Sequence, residues 1–143
     1  MTIQTSMDEE IARIAQTVKV VAMVGLSPNE ARPSWGVARY LQSCRIRVIP
    51  VNPGHAGGTI LGEKVHADLA SIPPEAGVQM VDIFRRSEAV GGIVDQALVH
   101  LRDLQVIWTQ LGVRDDAAAA RARAAGVAVT QDRCPKIEFP RFL

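Results

Sequence analysis

Five runs of apolar, often β-branched residues recur along the chain, at Lys19–Val24, Ile46–Val51, Val78–Phe84, Gln105–Thr109 and Val127–Gln131. Each is close to continuously apolar rather than alternating, the pattern of strands buried on both faces of a parallel sheet. Between them the period lengthens. Ile11, Ile14, Ala15 and Val18 keep helical spacing behind a Ser6-x-x-Glu9 capping box, and Val90, Ile93, Val94, Ala97, Leu98 and Leu101 keep it behind Ser87. Ser34–Ser43 follows Pro33 and sets Val37 and Leu41 on one side; Asp115–Ala125 is alanine-rich and stops at Gly126, a residue suited to a left-handed cap. The Asp115-Asp116 pair satisfies the start of that helix by charge and hydrogen bonding, so it needs no acid or metal role. Strands alternating with helices predict an α/β fold: a doubly wound, five-stranded parallel sheet with helices on both faces. The expectation is a single domain over residues 1–143, with an N-terminal helix over 1–18.

The segment Asn52–Pro74 breaks the rhythm, because Gly54, Gly57, Gly58, Gly62, Pro53, Pro73 and Pro74 oppose a full crossover helix. It reads as loop with one short helical turn around Asp68–Ser71, and loops of this length more often serve function than connection alone.

Composition narrows the class of partner. A chain of 143 residues buries roughly two-thirds of its unfolded surface in one core. Lys+Arg 16 against Asp+Glu 15 leaves no excess to draw a polyanion, so neither nucleic acid nor a membrane surface is the expected partner. Cys44 and Cys134 are too few for a disulfide framework and lack zinc spacing, which fits a reducing compartment. Met1–Val18 carries Asp8, Glu9 and Glu10 and no sustained apolar run, so it reads as neither signal peptide nor membrane span, and a cytoplasmic location is expected.

The candidate chemistry lies in the first strand-to-helix turn, Val24-Gly25-Leu26-Ser27-Pro28-Asn29-Glu30-Ala31-Arg32-Pro33-Ser34. A helix N-terminus presents unpaired N–H groups and the positive end of the helix dipole, which stabilises a phosphate. Gly25 would allow close backbone approach, Ser27 and Ser34 offer hydroxyls, and Arg32 offers a planar fork. Gly36 would permit close helix–strand packing. A plain turn glycine and a plain cap would look the same; position favours function, because ligands of doubly wound sheets bind outside the carboxyl ends of the strands. The G-x-G-x-x-G fingerprint is missing, and the second strand ends in Val51-Asn52-Pro53 where an NAD site usually has an acid; no Walker loop follows the first strand.

Gly25-x-Ser27 with Arg32-Pro33-Ser34, Asn52-Pro53 after strand two, Asp82-Ile83-Phe84-Arg85 after strand three, and the ending Asp132-Arg133-Cys134-Pro135-Lys136 together resemble the small stand-alone CoA-binding domain proteins of bacteria and archaea. These are similar in fold to the CoA-binding domain of the succinyl-CoA synthetase α subunit. The resemblance runs from about Val18 to the C-terminus. It implies a Rossmann-like domain that holds a small-molecule ligand, coenzyme A or an acyl-CoA, through its ADP portion, with no established reaction for most members. By that resemblance Gly25, Leu26, Ser27, Arg32, Pro33 and Ser34 form the phosphate turn. Val51, Asn52 and Pro53 line the adenosine side, and Phe84 with Arg85 closes the crevice. Arg85 ranks ahead of Arg86, since alternation sends the two side chains different ways. His55, His66 and His100 match no histidine motif of the synthetase, so its reaction is not implied.

Cys134 is the one catalytic candidate. A thiol beside Arg133 and Lys136 suits a nucleophile or a mixed disulfide with CoA; without a histidine nearby in sequence, packing or binding is the preferred reading. Cys44 reads as a small core residue, and Trp35 and Trp108 as core anchors, with Trp108 an alternative wall for the pantetheine arm. The other function classes are an enzyme using acyl-CoA or thiol chemistry at Cys134, and an NAD(P)-dependent oxidoreductase.

Overall fold

The computed structural model describes residues 3–143, with side chains from Met7 onward, so residues 1–2 of the expected first helix and the Ser6 capping side chain lie outside the described residues. The chain runs α1 (Ile3–Thr17), β1 (Val20–Val24), α2 (Pro33–Ser43), β2 (Arg47–Val51), a hairpin of β3 (Thr59–Ile60) and β4 (Glu63–Lys64), β5 (Met80–Ile83), α3 (Ser87–His100), β6 (Val106–Thr109), α4 (Asp116–Ala124), β7 (Ala128–Thr130) and α5 (Pro135–Glu138). The five expected strands form one parallel sheet in the order β2-β1-β5-β6-β7. The fold is therefore the expected Rossmann-like, doubly wound one.

Strand alternation splits the core into two layers. Val21, Met23, Val48, Met80, Val106 and Trp108 point to the side covered by α1, α2 and the C-terminal turns. Ala22, Val24, Ile49, Val81, Ile83 and Ile107 point to the side covered by α3 and α4. After β2 the chain crosses back over β1 to add β5 on its far side, so strand order reverses between β1 and β5. At such a switch point the crossovers diverge to opposite faces and leave a crevice at the strands' carboxyl ends.

Local departures from the sequence reading have local causes. The Gln79 side-chain carbonyl accepts from Lys19 N at 2.6 Å and Val20 N at 3.3 Å, so Gln79 is used to start β1 and β5 begins only at Met80. α1 starts at Ile3, ahead of the expected Ser6 cap. Ser87 does not cap α3; it is the first helical residue and its Oγ accepts from Arg114 N at 3.0 Å. Asp115 does cap α4, accepting from Ala118 N at 3.0 Å. The glycine-rich loop holds the unforeseen β3–β4 hairpin beside the expected turn at Leu69–Ser71, where Asp68 accepts from Ser71 N at 2.9 Å and Ser71 Oγ at 2.6 Å. Among the described residues no helix is long and apolar enough to cross a membrane.

Candidate functional site: a crevice at the switch point

β1 ends at Val24, and the next residue, Gly25, adopts φ +91°. Its N–H donates to Val51 O at 2.8 Å, and Phe84 N donates to Val24 O at 2.8 Å, so the ends of β2, β1 and β5 are locked side by side. A Cβ on Gly25 would stand 2.3 Å from the Phe84 carbonyl oxygen, so the glycine is dictated by the approach of β5. Beyond it the chain folds on itself through side-chain acceptors. Ser27 Oγ accepts from Asn29 N at 3.1 Å, and Ser34 Oγ, buried in the first turn of α2, accepts from Ser27 N at 3.0 Å. Ser34 is thus a tie between turn and helix rather than a cap of α2. Among the described residues, neither Leu26 N–H nor Ser34 N–H meets an acceptor. Arg32, exposed and without an ion-pair partner among the described residues, stands immediately before the helix. Gly25, Ser27, Arg32, Pro33, Ser34 and Phe84 enclose a cavity of about 280 Å³.

Two further cavities extend this cradle along the strand ends. Toward β2, a slot of about 300 Å³ has Val24, Val51, Pro53 and Ile93 as apolar walls, with Asp68 and Arg85 at its rim. Hydrogen bonds from Ser71 hold the Asp68 carboxyl below the usual range, which keeps it anionic there. Toward β6, a trough of about 610 Å³ is lined by Val37, Phe84, Leu111 and Val113 with Gln110 and Cys134. Pro33 and Phe84 belong to both cradle and trough, and Arg85 to both slot and trough. Through these shared residues the three cavities lie side by side along the strand ends.

Most of the residues named from sequence therefore converge, but several do so differently from expectation. Leu26 is 1% exposed and packs in the core, so only its backbone faces the turn. The Asn52 side chain is committed to the backbone, donating to Leu26 O at 3.0 Å and accepting from Gly54 N at 3.0 Å. It clamps the end of β2 to the turn after β1 instead of lining the slot. Asn52→Ala should cost about 1–3 kcal/mol in denaturant unfolding, because both backbone groups lose their partner; unchanged stability would mean that water replaces the amide. Gly36 does not permit helix–strand packing: a Cβ there would meet only Lys136 Nζ, at 3.7 Å. Trp108 is no wall of the crevice, being fully buried, edge-on to Phe139 at 5.7 Å and donating from Nε1 to Arg133 O at 2.8 Å. Arg86 does reach the trough beside Arg85, although it also stands 3.9 Å from Glu88. Asp82 and Ile83 lie within β5 rather than after it.

Sequence reasoning passed over Gln110, Asp68 and the role of Asp82. Gln110 follows the strand-end Thr109 and is 7% exposed, with Oε1 lacking a hydrogen-bond partner. Asp68 was read as a turn residue alone. For Asp82 the available signal was an acid placed inside an otherwise apolar strand run, Val81-Asp82-Ile83.

The profile of the CoA-binding domain family matches residues 19–140. An uncharacterized Bacillus subtilis protein, YneT, is 34% identical over 128 residues, covering 90% of each chain. A hypothetical protein of Pyrococcus horikoshii superposes with a TM-score of 0.86 at 30% identity, over 94% of this chain and 91% of its own. A Thermus thermophilus structure described as cell-free ID.343 gives 0.85 at 29% identity, over 95% and 98%. With the family profile matched over nearly the whole chain, the protein belongs to the CoA-binding domain family.

Proposed function

We propose that the protein holds coenzyme A, free or acylated, along the crevice, with the pyrophosphate at the head of α2, the adenosine in the slot beside β2 and the pantetheine arm in the trough toward β6. The observation that carries this reading is that Ser34, whose N–H meets no acceptor among the described residues, and the unpaired Arg32 guanidinium line one cavity at the switch point. Orphan donors at a helix N-terminus and a free guanidinium are both satisfied by phosphate oxygens. The slot and the trough supply the largely apolar walls that an adenine ring and a chain of methylenes require.

The reading is of a binding module. The trough lining presents neither histidine nor carboxylate beside Cys134, so a base-assisted nucleophile finds no base in that lining. Nor does the end of β2 offer an acid to paired ribose hydroxyls, since the side chain there is Asn52, spent on the backbone.

Titration calorimetry with CoA, acetyl-CoA, NAD and NADP at one salt concentration tests the proposal. Binding of CoA without NAD or NADP supports it, and binding of neither class overturns it. Arg32→Ala should weaken CoA about 10- to 150-fold, the scale of a hydrogen bond to a charged group, while the melting temperature stays unchanged because the side chain holds nothing else. Undiminished affinity would remove Arg32 from the phosphate site.

A further inference from the structure

The slot beside β2 carries an anion that phosphate binding does not explain. Asp68 and Gln96 both line it, together with apolar walls that include Val24, Val51, Pro53 and Ile93. Asp68 Oδ1 accepts from Ser71 N at 2.9 Å and from Ser71 Oγ at 2.6 Å, which fixes the carboxylate on its turn and holds it below the usual carboxylate range. Its other oxygen, Oδ2, has no partner among the described residues and, unlike the carboxylate of Asp82, remains open to solvent. Gln96, on α3, accepts at Oε1 from Leu69 N at 3.2 Å. Leu69 is buried, so its N–H needs that acceptor, and the amide is thereby turned with Nε2 away from it. Nε2 has no acceptor among the described residues. Asp68 and Gln96 are thus joined through Leu69, and together they offer an apolar slot one unused acceptor and one unused donor. A bare carboxylate at the rim of a site for a phosphate-bearing ligand opposes binding unless a donor on the ligand meets it.

We propose that Asp68 and Gln96 read the base edge of the bound nucleotide, Asp68 Oδ2 accepting from the exocyclic amino group of adenine and Gln96 Nε2 donating to the neighbouring ring nitrogen, so that the slot selects an aminopurine. The proposal rests on the CoA reading above and deepens it by naming the residues that recognise the base. Adenine carries a donor and an acceptor side by side, the pattern that one carboxylate oxygen and one amide N–H group complement. Guanine and hypoxanthine present a carbonyl oxygen in place of the amino group. That oxygen would face the carboxylate acceptor to acceptor and leave a charge without its hydrogen bond. Rejection of this kind is strong, because the wrong base strands a charged group instead of merely forgoing a contact. Ser71 contributes to the choice: by keeping the carboxyl ionised it removes the proton with which Asp68 could donate to a carbonyl.

The test is calorimetry of the wild-type protein with CoA and with its hypoxanthine analogue, in which a carbonyl replaces the amino group, so that no variant has to fold for the question to be decided. CoA should bind about tenfold or more tightly than the analogue, the scale of one base-edge contact. Asp68→Asn keeps an oxygen for Ser71 and puts an N–H group where Oδ2 stood. It should weaken CoA and strengthen the analogue, moving the ratio of the two affinities toward one or inverting it. Gln96→Glu keeps the acceptor for Leu69 N and removes the donor, so CoA should weaken there by about tenfold as well. A merely structural role for either residue would shift both ligands together. Equal wild-type affinity for the two ligands, or a ratio that Asp68→Asn leaves unchanged, overturns the base-edge assignment while the CoA reading stands. If the wild type binds neither ligand, the CoA reading falls and the assignment with it.

Discussion

Gly25→Ala is expected to lower the melting temperature by about 10–15 °C and to abolish CoA binding in what remains folded. Two costs act at once. The backbone sits at φ +91°, where an L residue is strained by about 1–3 kcal/mol. The new methyl would also stand 2.3 Å from Phe84 O, an overlap with a main-chain atom rather than with a side chain that can swing away. Relief requires β5 to move from β1, yet Phe84 N to Val24 O and Gly25 N to Val51 O, both 2.8 Å, hold the three strand ends together. Overpacking of this kind adds roughly another 1–3 kcal/mol. The combined loss, on the order of 4 kcal/mol, is a large share of a domain's stability and corresponds to the stated fall in melting temperature for a chain of this size. Thermal melts and CoA calorimetry on the same preparation check both halves. A wild-type melting temperature would show that Phe84 yields easily, and the turn could not then be a rigid phosphate cradle.

That glycine illustrates which parts of the site were legible in the sequence. The strand–Gly25–helix order, the apolar runs and Pro33 at a helix start are local signals, and they located the sheet, the switch point and the cradle. The reason for Gly25 was not local: it depends on Phe84, which reaches the turn only because β5 pairs with β1. Asn52 shows the same limit. Its side chain looked like a ligand contact by position, but it accepts from Gly54 N two residues on and donates to Leu26 O, and that second partner is set by the tertiary packing of one strand end on another. The β3–β4 hairpin was hidden because strands of two residues each carry no periodicity to read. Ser87 and Ser34 both looked like caps and both serve another loop, since a hydroxyl near a helix start accepts from whichever N–H the fold brings to it.

Asp82→Asn should make stability less dependent on pH and should raise it in neutral and alkaline solution. Asp82 occupies the middle of the sheet, in register with Met23 on β1 and Trp108 on β6. It is fully buried, and neither carboxylate oxygen has a partner. Burial pushes the carboxyl well above the usual carboxylate range, since no counter-charge or donor offsets the lost hydration. In the unfolded chain the same group ionises near pH 4. Below that pH it is protonated in both states and the folded state carries no penalty. As the pH rises from there to the folded value the unfolded chain alone gives up its proton, so each pH unit in that window removes about 1.4 kcal/mol of stability. Above the folded value the loss is complete and constant. Asn keeps the shape and cannot ionise, but it buries an amide equally short of partners, so it should be no more stable than the wild type at low pH. The two stability curves, measured by denaturant unfolding at a series of pH values, should therefore cross, with the variant the more stable above the crossing. Parallel curves would mean that Asp82 ionises in the folded protein as it does in water, and that its carboxylate reaches solvent or a cation which the closed sheet does not offer.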